Sequence, residues 1–422
     1  MLNDVFEECV GKGLVALDIF EFERGGLWRT SSYNELGPMY FRRAYRMQYS
    51  TFKALADELC PYIIDASGQK GGPKRCVPNG PILPDVRLAC AIRWFAGGSA
   101  YDLMMTYGIG HSDTIRSYWC VVDAINSHPK FKIEYPKNHD EQRQIASGFE
   151  KVSHAGFMCC AGAIDGILIR IYKPSKKDCM DIGCNDGKFM CSRKSKFGLN
   201  CQAVCDVRGR ILDISIIYPG STSDCLAFAG MLLFHQLENG LLAPGLCIFG
   251  DNASLNMPNM ATPYAAATGG TKDAYNFYHS QLRIRIECAF GMLTHRWAIL
   301  RRAIPVNIRV EKTIALHNYC INANNNDIST NTARDKWAFE INGAIPLVPV
   351  EDHGEGSASR LSDVVPEQLL HADDHFDDIG HAGHRSRQRY YRSVSNGVPL
   401  PREQLHYYIE AERYTRPSVQ RL

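Results

Sequence analysis

Apolar positions along this chain follow one period in its first part and another in its middle. Through residues 1–65 they recur at helical spacing: Tyr40-Phe41-Arg42-Arg43-Ala44-Tyr45-Arg46-Met47 is followed by Phe52, Leu55, Ala56 and Leu59, a stripe on a 3.6-residue repeat. Ser67-Gly68-Gln69-Lys70-Gly71-Gly72-Pro73 interrupts the stripe, and Pro and Gly continue to Pro84. Helical period returns over 84–128. Val86, Leu88, Ala89, Ile92, Trp94 and Phe95 face one way until Gly97-Gly98. Ser99 is placed to cap a short helix from Ala100, Gly108-Ile109-Gly110 supplies a turn, and Ser112 is placed to cap a third helix through Val121 and Ile125. A glycine turn between two helices is the helix-turn-helix pattern, whose second helix would offer His111, Asp113, Thr114, Arg116 and Ser117 to a groove. It equally fits a helical hairpin that packs only on itself.

From residue 157 the period shortens. Phe157–Ile164, continued by Ile167–Ile171, predicts a buried strand. Two further strands, Leu199–Val204 and Ile211–Tyr218, meet at Asp206-Val207-Arg208-Gly209-Arg210, which predicts three antiparallel strands. A helix over Leu226–Glu238, a short strand over Leu246–Phe249 and a helix from Ser280 to about Arg302 complete the block. From about residue 322 the chain turns polar, and 351–384 is predicted to be a poorly ordered acidic linker. A last helix is predicted over 401–415. These changes divide the chain into helical regions at 1–83 and 84–150, an α/β domain at 155–322 and a tail at 323–422.

Composition narrows the classes. The sequence is 45% hydrophobic and 22% charged, and no apolar run reaches the ~18 residues that a membrane span needs. The acids in Met1-Leu2-Asn3-Asp4-Val5-Phe6-Glu7-Glu8 do not suit a secretory signal, so the 16 cysteines are expected in a reducing compartment. None forms a CxxC pair. Cys179, Cys184 and Cys191 are the tightest set, too widely spaced for an ordinary zinc site. The net charge of +2 conceals local contrast: residues 165–210 hold ten Lys/Arg against five Asp/Glu, and 351–378 hold one against nine. Basic blocks of that kind suit phosphates.

Three segments each offer an acid on a rigid element: Ala163-Ile164-Asp165-Gly166, Phe249-Gly250-Asp251-Asn252, and Arg283-Ile284-Arg285-Ile286-Glu287. Asp165 and Asp251 are expected at strand ends and Glu287 on a helix, with Arg283 one turn before it. Three acids so held can clamp two divalent metals about 3.5–4 Å apart for phosphodiester chemistry. Each has a plainer explanation: a turn aspartate, a loop aspartate, a helix glutamate neutralised by Arg283.

Tyr218-Pro219-Gly220-Ser221-Thr222-Ser223-Asp224, Asn276 and Leu316-His317-Asn318-Tyr319-Cys320 follow in order with those segments. Together they resemble the PIF/Harbinger transposases and the nuclease-like proteins derived from them, over roughly residues 84–322. The resemblance implies an RNase H-like catalytic domain preceded by an α-helical, helix-turn-helix-like domain. It implies a Mg2+- or Mn2+-dependent nuclease or transposase whose metal-binding acids are Asp165, Asp251 and Glu287, with Asp224 a fourth acid that could cap a helix or replace Asp251. A non-cutting DNA-binding or scaffold protein on the same fold is the alternative. Two departures stand out: Asn252-Ala253-Ser254 replaces a usual Gly-Tyr, and Thr294 a usual lysine.

DNA contacts are expected from Lys173, Lys176, Lys177, Lys194, Lys196, Arg283, Arg296 and Arg116, while Trp297 fits a core position better than a base-stacking one. The resemblance further implies nuclear location and a Myb-like accessory protein. Cutting two DNA ends favours a homodimer or larger assembly.

Overall fold

The computed structural model describes residues 41–63, 82–176, 179, 185–251, 257–265, 267, 269–304, 318 and 400–417. The expected acidic linker at 351–384, Lys177, Cys184, Asn252–Ser254 and His317 lie outside them. The chain divides into two compact units, Met1–Lys132 with Arg296–Ile299, and Ile133–His295 with Leu300–Leu422.

The first unit is helical where described. Residues 41–45 form a helical turn ahead of α1 (Tyr49–Leu59), whose Phe52, Leu55, Ala56 and Leu59 are buried as their spacing predicts. α2 (Pro84–Phe95), α3 (Ala100–Tyr107) and α4 (His111–Ser127) follow. Ser99 caps α3 by accepting the Asp102 N–H, and Gly108 ends it at φ +59°, a left-handed conformation that suits glycine. Ser112 does not cap α4; Gly110 is its N-cap and Ser112 lies in the first turn. Thr114 and Ser117 are also lost as base readers, because both are fully buried. The Thr114 hydroxyl donates to Gly110 O, while Ser117 donates to Asp113 O and accepts from Arg87. The apolar face of α4 extends through these small polar residues, which a hydropathy pattern counts as exposed. Trp297 belongs to this unit, fully buried with its ring 6.0 Å from that of Phe95.

The second unit is α/β with a six-stranded mixed sheet. After α5 (His139–Glu150) come β1 (Cys160–Arg170), β2 (Met190–Cys191), β3 (Lys196–Cys205) and β4 (Ile211–Pro219). Two short helices, α6 (Asp224–Ala229) and α7 (Leu232–Glu238), lead to β5 (Cys247–Phe249), β6 (Met260–Ala261) and α8 (Gly270–Arg296). β3 pairs antiparallel with β1, β2 and β4, and β5 runs parallel to β1 with β6 beyond it. α9 (Pro401–Ala411) is the expected last helix. Arg402 on α9 stacks over the Tyr264 ring, and His406 meets Thr271 at 2.9 Å, which ties α9 to the start of α8.

Three expectations change here. The predicted helix over 226–238 is two, parted at Gly230, where any Cβ would collide with the Tyr218 ring. α8 starts ten residues before Ser280, because aromatic Tyr275 and Tyr278 with His279, rather than aliphatic residues, form its first buried stripe. Asp165 is not at a strand end but in the middle of β1, whose register with β3 runs unbroken from Ala163↔Cys205 to Arg170↔Gly198. Gly166 makes no turn. Its absent side chain leaves room for Asp224 Oδ1 and Gln202 Nε2, each 2.4 Å from where a Cβ would stand.

One half-buried acid lies on β4. Burial pushes the Asp213 carboxyl up to about 6, and Glu134 pushes the same way, against hydrogen bonds from the Ile214 and Tyr135 backbone. Because the folded pKa is raised, its stabilising contribution is complete below about pH 4 and is lost as pH rises to about 6. Asp213→Asn should therefore leave the protein more stable than wild type at pH 7, by roughly 2–3 kcal/mol at most, with the gap closing below pH 4. Urea unfolding across that range checks this; parallel profiles for the two proteins would contradict it.

Candidate active site

The site is built on β1, β5 and α8. Parallel pairing sets Ala163 against Phe249, and two residues further along both chains are Asp165 and Asp251. α8 adds Arg283 and Glu287, one turn apart and so on the same side of the helix. Arg283 joins the group: Nη1 donates to Asp165 Oδ2 at 3.1 Å and Nη2 donates to Glu287 Oε1. Asp165 and Arg283 are each one-fifth exposed, whereas the Glu287 side chain is about half exposed.

Electrostatics tie Asp251 to the same group. The Asp165 carboxyl is raised above the usual carboxylate range, first by burial and then by the negative charges of Asp251 and Glu287. The Gly166 N–H, donating at 2.8 Å, and Arg283 oppose that rise. The three acids therefore share one neighbourhood. Among the described residues, no three carboxylate, thiolate or imidazole groups already stand as a complete ligand set. Arg283 lies between two of the candidates.

Asp224 stands elsewhere. Its Oδ1 packs over Gly166, and successive strand residues point to opposite faces, so it approaches β1 from the side away from the Asp165 carboxylate. Oδ1 accepts from Asn200 Nδ2 and Gln202 Nε2, both at 3.0 Å, and Oδ2 pairs with Arg193 at 3.2 Å. The cap of α6 is Ser223, which accepts the Leu226 N–H; Asp224 is the first helical residue, turned back to the sheet. Asn200 and Gln202 alternate in an otherwise apolar strand, and that alternation was the available sign of a buried polar network.

The roles of three more residues emerge only in three dimensions. His279 is fully buried and stacks on Phe249 at 4.8 Å, with Nε2 3.1 Å from Ala261 O. Burial pushes its pKa down to about 4, so it is neutral at pH 7 and fastens α8 to β5 and β6, directly before Asp251. Asn318 accepts the Ile211 N–H at 2.8 Å and donates to Ile211 O at 2.7 Å, serving β4 as a single strand residue would. Asn276 makes the same two-way contact with the Tyr264 backbone.

The basic candidates separate. Lys173 pairs with Asp186 at 3.0 Å, while Lys176, Lys194 and Lys196 are exposed around the β1–β3 connection. Arg283 is engaged by carboxylates, and Arg296 ends α8 half-buried. Arg116 lies on α4 in the first unit, paired with Asp113 at 3.2 Å. His295 is exposed and meets Arg301 at 2.9 Å.

Residues 164–322 match the family model of the DDE superfamily endonucleases. That segment is similar to the DDE superfamily endonucleases. It is 24% identical over 292 residues to "Putative nuclease HARBI1" of Bos taurus and of Homo sapiens, a match spanning 68% of this chain and 80% of each relative. It is 24% identical over 304 residues to "Protein ALP1-like" of Arabidopsis thaliana, spanning 67% and 71%. These relatives agree with the resemblance drawn from the motifs. No solved structure matches the chain. The matched segment includes Asp165, Asp224, Asp251, Glu287 and Asn318. No described helix is long and apolar enough to cross a membrane.

Proposed function

We propose that this chain is a metal-dependent DNA endonuclease of the transposase type, cutting and joining phosphodiester bonds at element ends. The observation behind this is that Asp165, Asp251 and Glu287 share one charged neighbourhood while Asp224 is engaged on the other side of β1. Their donors are hard carboxylate oxygens, the type that Mg2+ and Mn2+ take. The residues fit divalent cations, and Asp165, Asp251 and Glu287 would hold them. Bound there, the cations would activate the attacking water or 3′-hydroxyl and stabilise the leaving oxygen.

The chain's own residues do the rest. β1 and β5, hydrogen-bonded to each other, fix the spacing of Asp165 and Asp251. His279 locks α8 onto β5, so Glu287 is carried on a rigid neighbour. Lys173, Lys176, Lys194 and Lys196 supply positive charge that can follow a phosphate backbone without reading bases. A nuclear protein working with a Myb-like accessory, and acting as a dimer or larger, suits two-ended cutting and the few groove-facing side chains of α4.

Incubating the protein with labelled duplex and Mn2+ tests this: strand cleavage is expected. Saturable DNA binding without any cleavage would favour the non-cutting alternative, for which the neutralising Arg283 and the residues Asn252-Ala253-Ser254 and Thr294 speak. Neutralising Lys176, Lys177 and Lys194 together should reduce the salt slope of DNA affinity by about 2–3 units, at ~0.9 per phosphate contact. An unchanged slope would mean that this loop only faces solvent.

A further inference from the structure

Arg283 divides its guanidinium between two acids on different elements, Asp165 Oδ2 on β1 and Glu287 Oε1 on its own helix. It holds one oxygen of each carboxylate. A divalent cation seated on Asp165 and Glu287 would draw on the same negative charge and would meet the like charge of the guanidinium close by. Guanidinium stays charged at any working pH, so it cannot yield by losing a proton. It can only move. At one-fifth exposure, Arg283 has a route towards solvent.

We infer that Arg283 is the resident counter-ion of the Asp165–Glu287 pair, and that Arg283 and the divalent cation exclude each other from these carboxylates. This rests on the metal-binding function proposed above. Arginine holds the two acids together in the metal-free protein, so its loss weakens that state, and the same loss removes a competitor for the cation. Linkage makes the two effects reciprocal, with couplings that typically change affinity by about 5- to 150-fold.

The test is calorimetric titration of the full chain with Mn2+ in the absence of DNA, for wild type, Arg283→Gln and Arg283→Lys. Arg283→Gln should bind Mn2+ on the order of 10-fold more tightly than wild type. It should also melt at a lower temperature without metal and gain more from saturating Mn2+. Arg283→Lys keeps the charge but not the two-pronged donor, and should fall between them. Equal or weaker Mn2+ binding by Arg283→Gln, with wild type binding normally, overturns the competition and leaves the metal site standing. Absence of Mn2+ binding in all three proteins overturns both. If circular dichroism shows that Arg283→Gln does not fold, Arg283→Lys decides alone: tighter binding than wild type supports the competition, and equal or weaker binding overturns it.

Discussion

Asp165→Asn, Asp251→Asn and Glu287→Gln should each lower Mn2+-dependent DNA cleavage by at least about 100-fold while far-UV circular dichroism stays unchanged. Each exchange is nearly isosteric and removes one anionic ligand from a site whose task is to hold cations at a fixed separation. Even partners in the outer shell of a metal site are worth ~10–100-fold, so a direct ligand should be worth more. Asp224→Asn is the contrast. An asparagine oxygen can still accept from Asn200 and Gln202, and the lost pair with Arg193 is a weak one, since that side chain is 79% exposed. Much of the cleavage should survive. A dead Asp224→Asn beside a normally cutting Asp251→Asn would reverse the assignment of the second acid.

Trp297→Ala should destabilise the protein by about 3–5 kcal/mol, the usual cost of deleting a large core aromatic. Trp297 has no exposed surface and lies edge-on to Phe95, itself fully buried, so its removal leaves a cavity that rigid neighbours cannot close. Urea unfolding followed by circular dichroism gives the loss directly. Unchanged stability together with weakened DNA binding would show instead that the indole is a stacking surface.

Much of this protein was determined by local sequence. The period-two runs around Ile164, Leu199–Val204 and Ile211–Tyr218 fix strands because alternating apolar side chains can be buried only on a pleated sheet. The Asp206–Arg210 connection makes those strands antiparallel neighbours. Ser99 and Gly108 bound α3 through contacts within a few residues of themselves. The three acids could likewise be named from the chain, since each adjoins a strongly patterned element.

Other features depended on partners distant in sequence. Asp165-Gly166 has the look of a turn, yet β1 runs through it because β3 supplies an unbroken ladder and Asp224 fills the space that the glycine leaves. Thr114 and Ser117 read as exposed, but their hydroxyls find acceptors within α4 and can be buried without an unmet hydrogen bond. The early start of α8 rests on Tyr275 and His279 packing under β5 and β6, contacts that no helical period encodes. The sequence placed Arg283 one turn before Glu287. Only the folded sheet carried Asp165, 118 residues away, to its other nitrogen, because a guanidinium among carboxylates settles where it can neutralise two of them at once.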